Sequence, residues 1–347
     1  MKIPIANIYY LLAYAWDKLQ ETRQVSVRAE DCATPVDLLG RILVNGTAYL
    51  FKKGLDRNYR EYESIIPGIK GKLLVGESVK KATFQYGRAV CQYDEFDYDV
   101  LHNQLLKATL KRLHYVKDLD SKLKGEAWQL CQRFHEVSEI QLRKSLFGKV
   151  RLHRNNRFYG FLLKVCELLY DNLLPDEQPG KYRFKEFWKD EKQMPHLFES
   201  FVSNFYKQEL PSNYRVKRDD IQWQLYTQDE FAQSRLPKMQ TDVTIYTPEK
   251  KIIIEAKYNK DIFTWNFSNE KIRSQHLYQL HAYLTQQVNP ADLRSQNTTG
   301  ILLYATAGQS INHTYSYPQG HHLSLRTIDL LKDWKDIRDV LLETVDL

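Results

Sequence analysis

The chain has 347 residues, 43% hydrophobic and 27% charged, with 23 Tyr, 15 Phe and 6 Trp; this composition excludes a disordered chain and suits two domains. The formal net charge is +7, concentrated in residues 1–150, a mild basic bias that fits contact with a polyanion without establishing it. Cys32, Cys91, Cys131 and Cys166 lie far apart with no Cys-x-x-Cys pair, which argues against a disulfide framework or structural zinc and for a reduced, cytoplasmic protein.

The apolar stretch 3–16 contains Asn7, Tyr9, Tyr10, Tyr14 and Trp16 and lacks a small-residue cleavage site, so it does not read as a signal peptide. It is too short to cross a bilayer, and no membrane association is expected. Its spacing predicts a buried helix capped by Asn7, with Ile8, Leu11, Leu12 and Ala15 on one face. A second helix follows over 35–50. Residues 65–75 then mix glycine and proline with aliphatic side chains, predicting short strands and tight turns in a β-rich insertion over about 62–100. Helical spacing returns at 103–113, 121–144 and 157–174. Two prolines and a glycine at 174–180 break the pattern and set the expected boundary between an N-terminal domain, 1–180, and a C-terminal one, 181–347.

In the second domain, Leu197, Phe198, Phe201, Val202 and Phe205 mark one face of a helix. Strand-like runs follow at 213–217, 221–226, 239–246 and 251–258. Leu277, Leu280, Tyr283 and Leu284 mark another helix, and strands at 300–306 and 321–327 precede a last helix from about 328. The expected class is α/β, α+β over the whole chain, with a mixed sheet flanked by helices in the C-terminal domain.

The segment richest in chemistry is 239–258. Two strands joined by Thr247-Pro248-Glu249-Lys250 should pair antiparallel, and alternation turns Glu255 and Lys257 to one face, roughly 6–7 Å apart along the strand. Asp242 on the partner strand can then come opposite Glu255. Two carboxylates with a backbone carbonyl and waters suit a hard octahedral ion such as Mg²⁺, which lowers the pKa of bound water and neutralises charge at a phosphodiester. Lys257 is placed to orient the attacking water or to stabilise transition-state charge. The string [Asp/Glu]-x-Lys occurs five times in the chain and carries little by itself; the copy at Glu255 is set apart by the apolar strand it ends and the Asp-bearing strand before it. Glu199, beside the apolar helix stripe, is a further candidate ligand, and Ala256 would supply the backbone carbonyl. Gln275, Gln279 and Tyr283 recur at four-residue spacing and share a helix face that could border the site or contact the phosphate backbone.

The Asp242…Glu255-Ala256-Lys257 arrangement resembles the PD-(D/E)xK nuclease superfamily. Across nearly its full length the chain resembles the McrC family, the nuclease subunits of McrBC modification-dependent restriction systems. The resemblance rests on residues 7–16, on Ile66-Pro67-Gly68-Ile69-Lys70-Gly71, on Asn103 with residues 105–110, on the Thr241-Asp242 strand, and on Leu277-Tyr278-Gln279-Leu280 with Tyr283-Leu284. Thr241 stands where the superfamily often has proline. The resemblance implies a PD-(D/E)xK endonuclease domain, with Asp242, Glu255 and Lys257 catalytic, Mg²⁺ as cofactor, and double-stranded DNA containing 5-methylcytosine as substrate. It also implies an McrB-like AAA+ GTPase hexamer as partner, which reads the methylated base. No G-x-x-x-x-G-K-[ST] loop occurs in the sequence, so nucleotide binding falls to that other chain. The N-terminal domain is expected to dock on the ring and stimulate its GTPase, with Lys70, Lys72, Lys80, Lys81 and Arg88 of the insertion as the contacts.

Two other readings stand beside it. One is a non-catalytic, nuclease-like regulator that anchors and stimulates the ring, and the other is a repair or recombination nuclease that needs no GTP. The intact Asp242, Glu255 and Lys257 set favours a working nuclease over the first. No H-E-x-x-H or G-x-S-x-G signature is present.

Overall fold

A computed structural model describes residues 3–345 except positions 23, 26, 29–30, 226, 228, 259–261, 267–268, 309 and 319, with backbone alone for 264–266 and 269–270. The chain divides into two compact units, one of Arg23–Val27 and Val36–Lys185, the other of Met1–Thr22, Arg28–Pro35 and Glu186–Leu347. The expected division at 180 is therefore corrected at the start of the chain. Helix α1 (Ile5–Ala15) belongs with the C-terminal residues. Its reason is aromatic packing: the Tyr14 ring lies 6.0 Å from Phe201 and 5.3 Å from Phe205, and the Tyr10 ring stacks on Trp334 at 4.7 Å. Asn7 is not the cap either. Pro4 precedes the helix, and the Asn7 amide is buried, donating to the carbonyls of Leu330 at 2.9 Å and Lys332 at 2.8 Å.

In the unit built on residues 36–185, α2 (Pro35–Lys53) carries buried Leu38, Leu39, Ile42 and Leu43. Strands β1 (Asn58–Pro67), β2 (Lys72–Leu73) and β3 (Arg88–Asp97) form an antiparallel sheet in the order β1–β3–β2. The β1–β3 ribbon runs unbroken from Asn58↔Asp97 to Pro67↔Arg88. Much of it is solvent-exposed, as are Ile69, Val75, Val79, Phe84 and Tyr86 beyond its end. Gly71 makes the turn into β2 with φ +65°, and a Cβ there would lie 2.4 Å from the Gln92 carbonyl oxygen, so only glycine fits. At the other end of the ribbon, Asn103 donates to the carbonyls of Asp56 at 3.0 Å and Tyr98 at 2.9 Å while accepting from the Tyr159 hydroxyl at 2.8 Å.

Helices α3 (Leu101–His114), α4 (Ser121–Arg133) and α5 (Arg157–Asn172) complete this unit, with α3 packed on both others. The expected continuation of α4 to 144 fails. The Ser138 backbone N–H and hydroxyl both donate to Asp99 at 2.7 Å, and this local capture of backbone competes with a helix.

The other unit holds the mixed sheet. Helix α6 (Gln193–Glu209) is followed by β4 (Arg215–Lys217), β5 (Val243–Tyr246) and β6 (Lys251–Lys257). Helix α7 (Ser274–Gln286), β7 (Thr298–Thr306), β8 (Asn312–Ser316), β9 (His322–Asp329) and α8 (Trp334–Glu343) complete it. Among the described residues the sheet has six strands in the order β8–β9–β7–β6–β5–β4. Its β6–β7 and β7–β9 pairs are parallel and its other pairs antiparallel. Central β6 is apolar on both faces because helices cover both: α6 packs against it, and α7 lies against it and β7. Ile253, Leu302, Tyr304, Leu280, Tyr283 and Leu284 form the core on the α7 face.

Two expectations, one for a strand and one for a helix, are corrected. Of 221–226 only Ile221 is in a strand, a two-residue pairing of Asp220–Ile221 with Met239–Gln240, and position 226 lies outside the described residues. The last helix starts at Trp334, because the apolar residues at 328–330 end β9 and follow it instead.

Candidate active site

Strand β6 builds the site. The β5–β6 ladder pairs Ile254 with Val243 and stops there, so the next residues, Glu255 and Asp242, meet at its open end. Asp242 turns back onto β6, and its Oδ2 accepts from the Ala256 N–H at 2.9 Å. A strand residue's N–H and C=O point to the same side, so the Ala256 carbonyl also faces Asp242. Glu255 and Lys257 share the α7 face, as alternation requires, and the Lys257 ammonium lies 2.6 Å from Glu255 Oε1.

Helix α7 supplies the wall. The Gln279 amide nitrogen donates to Glu255 Oε1 at 2.6 Å and to the Tyr283 hydroxyl at 2.9 Å, and its oxygen accepts from Lys257 at 3.2 Å. Tyr283 in turn donates to the Gln240 carbonyl at 2.9 Å and is only 5% exposed. Gln279 and Tyr283 therefore border the site, one of the two expectations for this helix face, and brace the carboxylate and the lysine; Gln275, the third residue of that face, is exposed.

The charges are costly as they stand. Glu255 is 2% exposed, and its Oε2 is buried with no hydrogen-bond partner. Burial pushes both carboxyls upward. For Asp242 the charges of Glu255 and Glu199 add to the rise, and for Glu255 the nearby Lys257 opposes it. A buried carboxylate pair with an idle oxygen and an adjacent carbonyl is a donor set for a hard divalent cation, which would supply the missing positive charge. Glu199 stands at the margin. Among the described residues no three His, Cys, Asp or Glu side chains converge closely enough to hold a metal by themselves, so the residues that fit are Asp242, Glu255 and the Ala256 carbonyl.

Two neighbours have no counterpart in the sequence reading. Arg218, just after β4, places Nη2 3.3 Å from Asp242 Oδ1 and 3.8 Å from Glu199 Oε2. His276 bonds the Tyr304 hydroxyl through Nδ1 at 2.8 Å, and burial, then the charge of Lys257, lowers it to about 4. His276 could have been found, since it lies three residues before Gln279 on the same helix face. Arg218 leaves no periodic signal.

In the other unit, three of the five cations expected to dock a partner are paired within the insertion. Lys70 meets Glu95 at 2.5 Å, Lys80 meets Glu77 at 2.9 Å, and Lys81 lies 4.0 Å from Glu63 and Glu77. Lys72 and Arg88 are exposed and form no ion pair among the described residues.

With this geometry in view, the relatives are informative. Residues 6–305 match the family model of the McrBC 5-methylcytosine restriction system component. Over 344 residues the chain is 33% identical to the type IV methyl-directed restriction enzyme EcoKMcrBC of Escherichia coli K12, spanning 99% of this chain and 97% of that one. Its fold is similar to a chain in the refined half-complex from a tetradecameric assembly of Thermococcus gammatolerans McrB AAA+ hexamers with bound McrC, with TM-score 0.62, 14% identity, and coverage of 99% of this chain and 75% of that one. No helix among the described residues is long and apolar enough to cross a membrane. A full-length match of this kind settles kinship: the chain belongs to the family of McrBC 5-methylcytosine restriction system components.

Proposed function

We propose that this protein is the DNA-cleaving subunit of a GTP-dependent, modification-dependent restriction endonuclease of the cytoplasm, and that its C-terminal unit carries a PD-(D/E)xK nuclease site. The observation that carries the reading is the buried Asp242 and Glu255 pair, with one carboxylate oxygen idle and Lys257 at 2.6 Å. Asp242, Glu255 and the Ala256 carbonyl would hold Mg²⁺. When bound, the cation supplies an activated water and offsets charge at a scissile phosphate. Lys257 keeps an ammonium beside that position, where it orients the attacking water and stabilises charge that grows on the phosphate oxygens. Gln279 fixes the Lys257 and Glu255 side chains relative to one another, so little reorganisation is needed at the moment of reaction.

The substrate is double-stranded DNA bearing 5-methylcytosine, and an McrB-like AAA+ GTPase ring selects it. The β1–β3 ribbon and the apolar residues beyond its end are the surface that engages the ring and stimulates its GTPase. An exposed set of this kind, Ile69, Val75, Val79, Phe84 and Tyr86, fits an interface better than it fits solvent.

The test is cleavage of a 5-methylcytosine plasmid by this protein with its AAA+ partner, GTP and Mg²⁺, comparing wild type with Asp242→Ala and Lys257→Ala. Wild type should cut, both variants should lose at least about 100-fold in rate, and all three should stimulate GTP turnover equally. If no protein cuts while all raise GTP turnover, the chain is a nuclease-like regulator and the catalytic reading is wrong.

A further inference from the structure

The acidic group of the candidate site has a second cationic neighbour, and its contacts differ from those of Lys257. Asp242 Oδ2 is committed to the Ala256 N–H, which leaves Oδ1 as the oxygen free to meet a cation. That oxygen is the one Arg218 approaches, at 3.3 Å, while the same Nη2 lies 3.8 Å from Glu199 Oε2 and Nε donates to the Thr241 carbonyl at 3.3 Å. These distances are longer than those of a tight, charge-assisted pair, and the Arg218 side chain is 48% exposed. The guanidinium is therefore held loosely, with solvent behind it. It sits between Asp242 and Glu199, while Glu255 Oε2 nearby has no partner.

We propose that Arg218 is the resting counter-ion of this acidic group, bridging Asp242 and Glu199 in the metal-free chain, and that a divalent cation displaces it. The inference rests on the metal-binding reading above. A dication and a guanidinium on one carboxylate oxygen repel more strongly than a half-exposed ion pair can repay, so the two occupy Asp242 Oδ1 in turn. Displacement also frees Glu199 from the bridge.

The experiment is calorimetric titration of Mn²⁺ into the full chain without DNA, partner or GTP. Wild type, Arg218→Gln, Lys238→Gln and Asp242→Asn are compared. Lys238 is an exposed cation paired with Asp220 at 3.1 Å and controls for bulk charge. Arg218→Gln is expected to bind Mn²⁺ about threefold to fivefold tighter, the ratio that corresponds to losing one competing exposed ion pair. Lys238→Gln should match wild type, and Asp242→Asn should not bind. Unchanged or weaker binding by Arg218→Gln, or equal tightening by Lys238→Gln, would overturn the displacement. A thermal-melt cycle in chelator at pH 8 tests the counter-ion role without metal: Arg218→Gln should lower the melting temperature, and the loss should be smaller in the Asp242→Asn background, where only the Glu199 and Thr241 contacts remain. A loss of equal size in both backgrounds overturns that role. Absence of Mn²⁺ binding by wild type while the cycle shows coupling would instead refute the metal-binding reading.

Discussion

Replacing Asp242 by Asn isolates the electrostatic cost built into the site. Asp242 is 6% exposed, and burial, followed by the charges of Glu255 and Glu199, pushes its carboxyl up to about 7. An unfolded Asp titrates near 3.9. Between those values the folded chain binds more protons than the unfolded one, so this group's contribution to stability falls as pH rises from about 4 to about 7 and stays low above it. The interval corresponds to about 4 kcal/mol, a figure already net of the attraction that neighbouring cations such as Lys257 supply. Asn keeps an oxygen for the Ala256 N–H and carries no charge. Asp242→Asn should therefore raise the metal-free unfolding free energy by about 2–4 kcal/mol at pH 8 and change it little at pH 4. Mg²⁺ at tenfold excess over its Kd should return about 1.4 kcal/mol to wild type and nothing to the variant. Urea unfolding at pH 4, 6 and 8, with chelator and then with Mg²⁺, measures all three. A variant less stable than wild type at pH 8, or a difference that does not shrink in acid, would refute the account.

Three further outcomes follow from other parts of the structure. His276→Asn should remove part of the acid sensitivity between pH 6.5 and 4: the wild-type imidazole titrates at about 4 when folded and near 6.5 when unfolded, so its contribution is lost as pH falls through that window. Equal acid limbs for the two proteins in chelator would contradict this. Asn7→Ala leaves the Leu330 and Lys332 carbonyls without their donor and should cost about 2 kcal/mol, read as an earlier urea midpoint with cleavage retained; an unchanged midpoint would show that water replaces the amide freely. Gly71→Ala puts a Cβ 2.4 Å from the Gln92 oxygen at φ +65°, costing about 2 kcal/mol locally. It should reduce stimulation of the partner GTPase while leaving Mn²⁺ binding intact, and normal stimulation would detach the ribbon from that role.

The strand half of the candidate site was legible because its signals are local. Ile252, Ile253 and Ile254 fix β6, the Thr247–Lys250 turn fixes the hairpin, and alternation then puts Glu255 and Lys257 on one face. Gln279 and Tyr283 were legible as a pair on one helix face that could border the site, but their bonds were not: periodicity gives the face, and only the fold shows that Gln279 meets Glu255 and Lys257. The partner of α1 was hidden for a related reason. A helix apolar over most of its surface says that it is buried and not against what, and Asn7 resembles a cap in sequence because its carbonyl partners lie more than 300 positions away. Strand β8 is exposed at every residue, so it has no alternation to detect.

In the insertion, a count of charges leaves out how they are paired. Most of the net positive charge lies in residues 1–150, and the basic residues of the insertion invite a polyanion or an acidic partner. Yet Lys70, Lys80 and Lys81 stand beside Glu95, Glu77 and Glu63 of the same insertion, and pairs this exposed add little to stability or attraction. What the ribbon leaves unsatisfied is apolar: Ile69, Val75, Val79, Phe84 and Tyr86 beyond its end. Transfer of apolar surface out of water is worth roughly 25 cal/mol per Å² and is not screened by salt, so in the proposed engagement of the ring these apolar residues would contribute more than the paired lysines, with Lys72 and Arg88, which form no ion pair among the described residues, as the remaining cations. The candidate active site is organised the opposite way. There the buried carboxylates are undercompensated, and the deficit is one that a small divalent ion can fill and an apolar surface cannot.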